Sequence, residues 1–262
     1  MKTIFFTIFA IIALLFSACE REKPLSEIKS KQLSIVFEHH FQGENVILDT
    51  LIYTNAANNL FLINEIKYFI SDVCLYSNGQ KIPIDDNKGI HYVDTDISIS
   101  QQWEISQNLA EGIYDSLSFT FGFTDKNNIS RQFPNAPENT MAWPDHLGGG
   151  YHYMMINGKF LKDSSLASLN AHLGRGQIYR NNSYDVDSLI GYVDNSFVVN
   201  LPINTILSNK NTTTITIIMN IENWFQSPFI FDFLHWGSHI MQKQPAMQML
   251  KENGKKDVFT IK

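Results

Sequence analysis

The sequence predicts an all-β protein, an antiparallel β-sandwich with a few short helices. Two observations predict it: strict two-residue alternation recurs in several segments, and turn signals separate them at short intervals. A third is the scarcity of helical periodicity. Among 262 residues, residues 1–18 read as a signal peptide, 19–30 as a lipidated tether and 31–262 as a single domain, long enough for one large β core.

In Lys31 to Phe41, the residues Leu33, Ile35, Phe37, His39 and Phe41 share one face, while Ser34, Val36, Glu38 and His40 share the other. That is a strand with one mostly apolar side. A Gln42-Gly43 turn then leads to Asn45–Tyr53 as its expected partner. Leu60 to Tyr76 is rich in Ile, Tyr, Phe and Val and closes at Ser77-Asn78-Gly79; its length predicts a bend, or a short helical turn leading into a strand. In Ile113 to Phe123, the residues Ile113, Leu117, Phe119, Phe121 and Phe123 are expected on one side. Tyr151–Leu161, Ser196–Leu201 and Thr212–Ile221 are further strands, the last filled with β-branched residues. Two helices are expected. Gln101–Leu109 is the weaker; Pro245–Asn253 has proline in its first turn, Met247, Met249 and Leu250 as anchors, and Asn253-Gly254 as a stop. The polar stretch Asn181–Asp187 is expected to be a loop.

The N-terminus sets the compartment. Lys2 precedes an apolar run from Ile4 to Phe16, too short to span a bilayer comfortably. It ends in Ser17-Ala18-Cys19, which resembles a bacterial lipobox. Cys19 is therefore the expected lipidation site, and acyl chains bury about 0.8 kcal/mol per methylene in a membrane. The expected location is the cell envelope, with the chain lipid-anchored on the periplasmic or cell-surface face of the outer membrane. Charge then narrows the partners. With 20 basic and 26 acidic residues the net charge is −6, which argues against nucleic acid. Once Cys19 is acylated only Cys74 remains, so neither an intrachain disulfide nor a cysteine-rich metal site is available. Cys74 lies in an apolar strand and is expected to be a buried, reduced thiol.

No enzyme signature is present: there is no Gly-x-Ser-x-Gly elbow, phosphate-binding loop or His-Glu-x-x-His. The carboxylate pair Asp85-Asp86 sits in turn-like sequence. Histidine is the unusual feature, at positions 39, 40, 91, 146, 152, 172, 235 and 239. His39 lies on the apolar face of the first strand, and a buried imidazole needs a hydrogen-bond partner or a metal. His40 should point the other way, into solvent. His91 sits in Gly89-Ile90-His91-Tyr92-Val93-Asp94, where alternation does not decide its face.

Residues 139–153 are the densest segment. Trp143, His146 and His152 there could line a pocket or cap the core, and Gly148 to Gly150 are expected to include positive φ. Met241, Met247 and Met249 are either soft copper ligands or core filler.

These pieces resemble a known family in order. Phe37-Glu38-His39 with Gly43, then Glu65 to Val73, match its opening strands. His91-Tyr92-Val93-Asp94, Phe121-Gly122-Phe123, Met141-Ala142-Trp143 with Gly150-Tyr151-His152-Tyr153, and Ala171-His172-Leu173-Gly174 continue the series. The chain resembles the MbnP-like family, named for a periplasmic copper-binding protein linked to methanobactin. The resemblance implies a β-sandwich that binds copper mainly through histidines, with His39 and His91 as first ligands and His172 as a third. It also implies a dihaem peroxidase-like partner that oxidises a tryptophan in some members. Members often carry Trp-x-Trp here, whereas this chain has Trp143-Pro144-Asp145. The expected function is a non-catalytic envelope lipoprotein that captures or stores copper. The alternative is an envelope interaction module that binds a protein or glycan without metal. With imidazole ligands at their reference pKa of about 6.5, copper binding should weaken below about pH 6.

Overall fold

The computed structural model describes residues 33–180 and 183–262. Cys19, the signal segment and the tether lie outside the described residues.

The strands in chain order are β1 Leu33–Phe41, β2 Glu44–Asn45, β3 Tyr53–Thr54, β4 Leu60–Ser77, β5 Gln80–Pro83, β6 His91–Asp94, β7 Gln102–Ile105 and β8 Gly112–Phe121. They continue with β9 Met154–Lys162, β10 Ser165–Leu173, β11 Gly176–Tyr179, β12 Leu189–Val193, β13 Phe197–Leu207, β14 Thr213–Asn220 and β15 Phe259–Ile261. The helices are α1 Phe233–Trp236 and α2 Gln244–Gly254. Two packed sheets form an all-β sandwich, as the alternation predicts. One runs β15-β14-β1-β2, with β7 also on β1. The other runs β10-β9-β4-β8-β13, with β3, β5 and β6 on the remaining edge of β4. All pairings are antiparallel except β1 with β14, which run parallel.

The alternation in β1 works as expected. Leu33, Ile35, Phe37, His39 and Phe41 are all buried. Their rings meet the other sheet: Phe37 and His39 each pack edge-on against Tyr68, and Phe41 packs on Phe61. Aromatic pairs of this kind contribute about 0.5–1.5 kcal/mol beyond their buried area. They tie the sheets together in a chain whose single described cysteine is free.

β4 is one continuous strand with no helical turn leading into it; of the two expectations the bend is the one met, at Asp72, where φ is 51°. Two register shifts, between Ile63 and Glu65 and between Ser71 and Cys74, absorb its length. At Phe69 the pairing passes from one neighbour to the next: its amide donates to the Tyr153 carbonyl, and its carbonyl accepts from the Gly122 amide. β4 thereby holds β9 and β8 in succession along one edge.

Four local expectations are corrected. Asn45–Tyr53 is mostly not a strand; only β2 and β3 at its ends pair. Val46 and Leu48 turn into the core, and Asp49 adopts φ 59°, which a regular strand excludes. Gln101–Leu109 begins at the last residue of a 3-10 turn, Ser98–Gln101, and continues as β7, where Trp103 and Ile105 alternate into the core. Ile113 is exposed and Tyr114 is buried in its place; Tyr114 alternates in phase with Ser118 and Thr120, which are also buried, so this face of β8 is covered too. His40 is not free in solvent: its Nε2 lies 3.0 Å from Glu38 Oε2, and Glu38 also meets Lys262.

Other expectations match. α2 starts at Gln244, carries Pro245 in its first turn and buries Met247 and Leu250. Cys74 is buried, its thiol donates to the Asp72 carbonyl, and burial pushes its pKa up.

Candidate metal centre

The histidines named from sequence fall into two places. His39 and His91 face the space between the sheets. His91 pairs with Ile70 across β6 and β4, and its ring is stacked between Phe37 at 5.2 Å and Trp103 at 4.9 Å. Its Nε2 is 2.7 Å from the Ser100 carbonyl. A carbonyl only accepts, so Nε2 carries the proton and is spent on Ser100. His39 lines a cleft of about 250 Å³ with Thr95 and Gln101, and its Nε2 is buried without a partner. Both rings adjoin Phe37 or Tyr68, but they make no ring contact with each other like those each makes with its aromatic neighbours.

His172 is elsewhere. It pairs with Met155, and Met155 pairs with Lys67. Tyr68, which touches His39, is the next residue along β4. Successive residues on a strand point to opposite faces, so His172 lies on the far face of the eight-stranded sheet from His39.

On that far face His172 meets His152, with ring centroids 5.1 Å apart and planes nearly perpendicular. His152 is placed by a tight loop. Met141 to Trp143 runs antiparallel to Gly150 to His152: the Trp143 amide donates to the Gly150 carbonyl, and the His152 amide to the Met141 carbonyl. Gly148, Gly149 and Gly150 close the loop at φ 108°, 61° and 84°, left-handed values that glycine adopts without strain. Trp143 is buried between His152, at 4.6 Å, and Gly174, whose missing side chain leaves room for the indole.

Each ring is held in one tautomer. His152 Nδ1 donates to the Met141 carbonyl at 3.0 Å, which leaves the lone pair on Nε2. Asn157 Nδ2 donates to Glu65 Oε1 at 2.6 Å, so its Oδ1 faces His172 and accepts from Nε2 at 2.7 Å. The His172 lone pair is therefore on Nδ1. Glu65 is held in turn by Lys67 at 2.6 Å. His152 Nε2 and His172 Nδ1 are both buried and have no hydrogen-bond partner. An unmet buried polar atom costs about 1–3 kcal/mol, and an outer partner that fixes the ring tautomer is the usual second layer of a metal site.

Burial, first among the causes, lowers the pKa of His152 to about 4 and of His172 to about 3. His39 and His91 are lowered to about 4, again chiefly by burial. All four rings are neutral at pH 7, the form that ligates metal.

A cavity of about 450 Å³ adjoins His172, and His146, His239 and Met241 also line it. Among the described residues, no group of three or more His, Cys, Asp and Glu side chains is placed to hold a metal ion.

Sequence reasoning named His152 and His172 but did not join them, and it missed Asn157 and Glu65 altogether. The period-two placement of Glu65 and Lys67 on β4, and of Met155 and Asn157 on β9, was the available signal.

A family model described as MbnP matches residues 30–241. Among solved structures the chain is similar to MbnP from Methylosinus trichosporium, at 14% identity and a TM-score of 0.49, over 76% of this chain and 78% of that one. The comparison with curated proteins gives no match.

Proposed function

The chain belongs to the MbnP family, and from that premise we propose that it is a non-catalytic copper-binding lipoprotein of the cell envelope, anchored at Cys19, with His152 and His172 holding the ion. One observation carries the reading: two buried imidazoles lie with ring centroids 5.1 Å apart, and each keeps one nitrogen without a protein partner. The donor set suits cuprous copper, which accepts two nitrogen donors; a structural zinc site needs four ligands. Bound there, copper would be kept from water and from adventitious redox chemistry.

The residues around the pair support capture or storage. Met141 and Asn157 keep both rings in the ligating tautomer before any ion arrives. Burial keeps them unprotonated, so little free energy goes into removing protons on binding. His39 supports a second reading with the ion in the inter-sheet cleft, because its Nε2 is also unpartnered.

Cuprous titration of the purified domain against a chromophoric chelator separates these readings. Wild type is expected to take up one equivalent. His152→Ala and His172→Ala should each weaken binding by more than the roughly 10–100-fold that loss of an outer partner costs. Asn157→Ala should fall within that 10–100-fold range. His39→Ala and His91→Ala should retain the wild-type affinity. Loss of binding in the latter two alone would move the ion to the cleft. No uptake by wild type would favour an interaction module that works without metal.

A further inference from the structure

Resting on the reading of His152 and His172 as a copper pair, we propose that Met241 supplies a third, thioether ligand across the cavity beside His172. Met241 lines that cavity together with His172. Its neighbours in sequence are all fixed. Ile240 is buried at 1% exposure and plugs the segment into the core. Gln242 donates to the Tyr179 hydroxyl and the Tyr184 carbonyl. Lys243 reaches back to the Trp236 carbonyl at 2.9 Å and closes residues 236–243 into a strap over the cavity.

Within this strap Met241 is only partly buried and packs at the edge of the core. It is not consumed as filler in the way that Met247 is, fully buried on α2. Methionine has three rotatable bonds and a polarisable sulfur, so the side chain can reorient within the cavity while its backbone stays pinned. A thioether is a soft donor that selects cuprous copper over zinc or cupric ions. Two imidazoles alone distinguish these metals poorly, so the third donor gives the site its preference. His239 lines the same cavity, but it is exposed and its nitrogen is the harder donor.

The test is X-ray absorption at the copper edge, together with cuprous chelator competition, on wild type, Met241→Leu and Met249→Leu. Leucine keeps the volume and removes the sulfur. Met249, on α2, is not among the residues lining the cavity and serves as the control. The wild-type spectrum is expected to contain a sulfur shell beside the nitrogen shell. Met241→Leu should lose that shell, keep one equivalent of copper and bind at least about tenfold more weakly, since imidazoles remain to hold the ion. Met249→Leu should match wild type. A wild-type spectrum of nitrogen and oxygen alone, or an unchanged affinity in Met241→Leu, would overturn the third ligand and leave the histidine pair standing. Full binding by His152→Ala and His172→Ala would overturn both.

Discussion

Lowering the pH from 7 to 4 is expected to unfold the metal-free protein, with uptake of more than one proton in the transition. Four imidazoles are responsible. Burial holds His39, His91 and His152 at a pKa of about 4 and His172 at about 3. In the unfolded chain these rings protonate near pH 6.5. Between those limits the unfolded state binds more protons than the folded state, so stability falls as pH falls. Above about pH 6.5 both states are neutral at these rings, and this contribution is level. Each pKa unit is worth about 1.4 kcal/mol per ring, so four rings together reach the order of 10 kcal/mol. That is comparable with the roughly 5–15 kcal/mol by which a domain is stable at all. Urea unfolding followed by tryptophan fluorescence at several pH values measures it. The midpoint should drop steeply below pH 6. A midpoint that stays level down to pH 4 would mean that the rings are hydrated or already paired.

The second large effect is structural. Gly158→Ala should destabilise the eight-stranded sheet by about 3 kcal/mol, the upper end of ordinary overpacking. Gly158 sits on β9 between Leu169 of β10 and Ile63 of β4, opposite the irregularity that follows Ile63. A Cβ there would lie far inside contact distance of the Leu62 carbonyl oxygen. Backbone cannot rotate away as a side chain can, so the strands must part. The adjacent Asn157 orients His172, so the variant should also bind copper more weakly than its stability loss alone explains. Gly191→Ala is the control, because a Cβ there meets nothing closer than 3.6 Å. It should change stability by less than about 0.5 kcal/mol. Chemical denaturation of both variants checks the pair, and equal stability in the two would contradict the close approach.

Much of the sandwich was legible because alternation is a local signal. β1 could be read residue by residue, since each apolar side chain that faces the other sheet is two positions from the next. Where both faces of a strand are covered, the signal misleads: Tyr114, Ser118 and Thr120 are buried on the face of β8 opposite Leu117 and Phe119, while Ile113 at its start is exposed. β7 was masked by its shortness, with only Trp103 and Ile105 to mark it. The candidate site was legible as residue types and not as a constellation. His152 comes from a glycine loop and His172 from a hairpin strand twenty positions later. Only the pairing of β9 with β10 brings them to one face. The chain from Lys67 through Glu65 and Asn157 to His172 needs two strand registers at once. His39 was correctly placed inside, but its distance from His172 depends on which face of β4 each one meets.

The most direct test of the central claim is the nitrogen NMR spectrum of the imidazole rings, with and without one equivalent of cuprous ion, which is diamagnetic and leaves the signals sharp. Coordination is expected at Nε2 of His152 and Nδ1 of His172, the two atoms without partners. The protons on His152 Nδ1 and His172 Nε2 should stay in place, because Met141 and Asn157 hold them. Shifts confined to His39 and His91, with the His152 and His172 signals unmoved, would contradict the assignment.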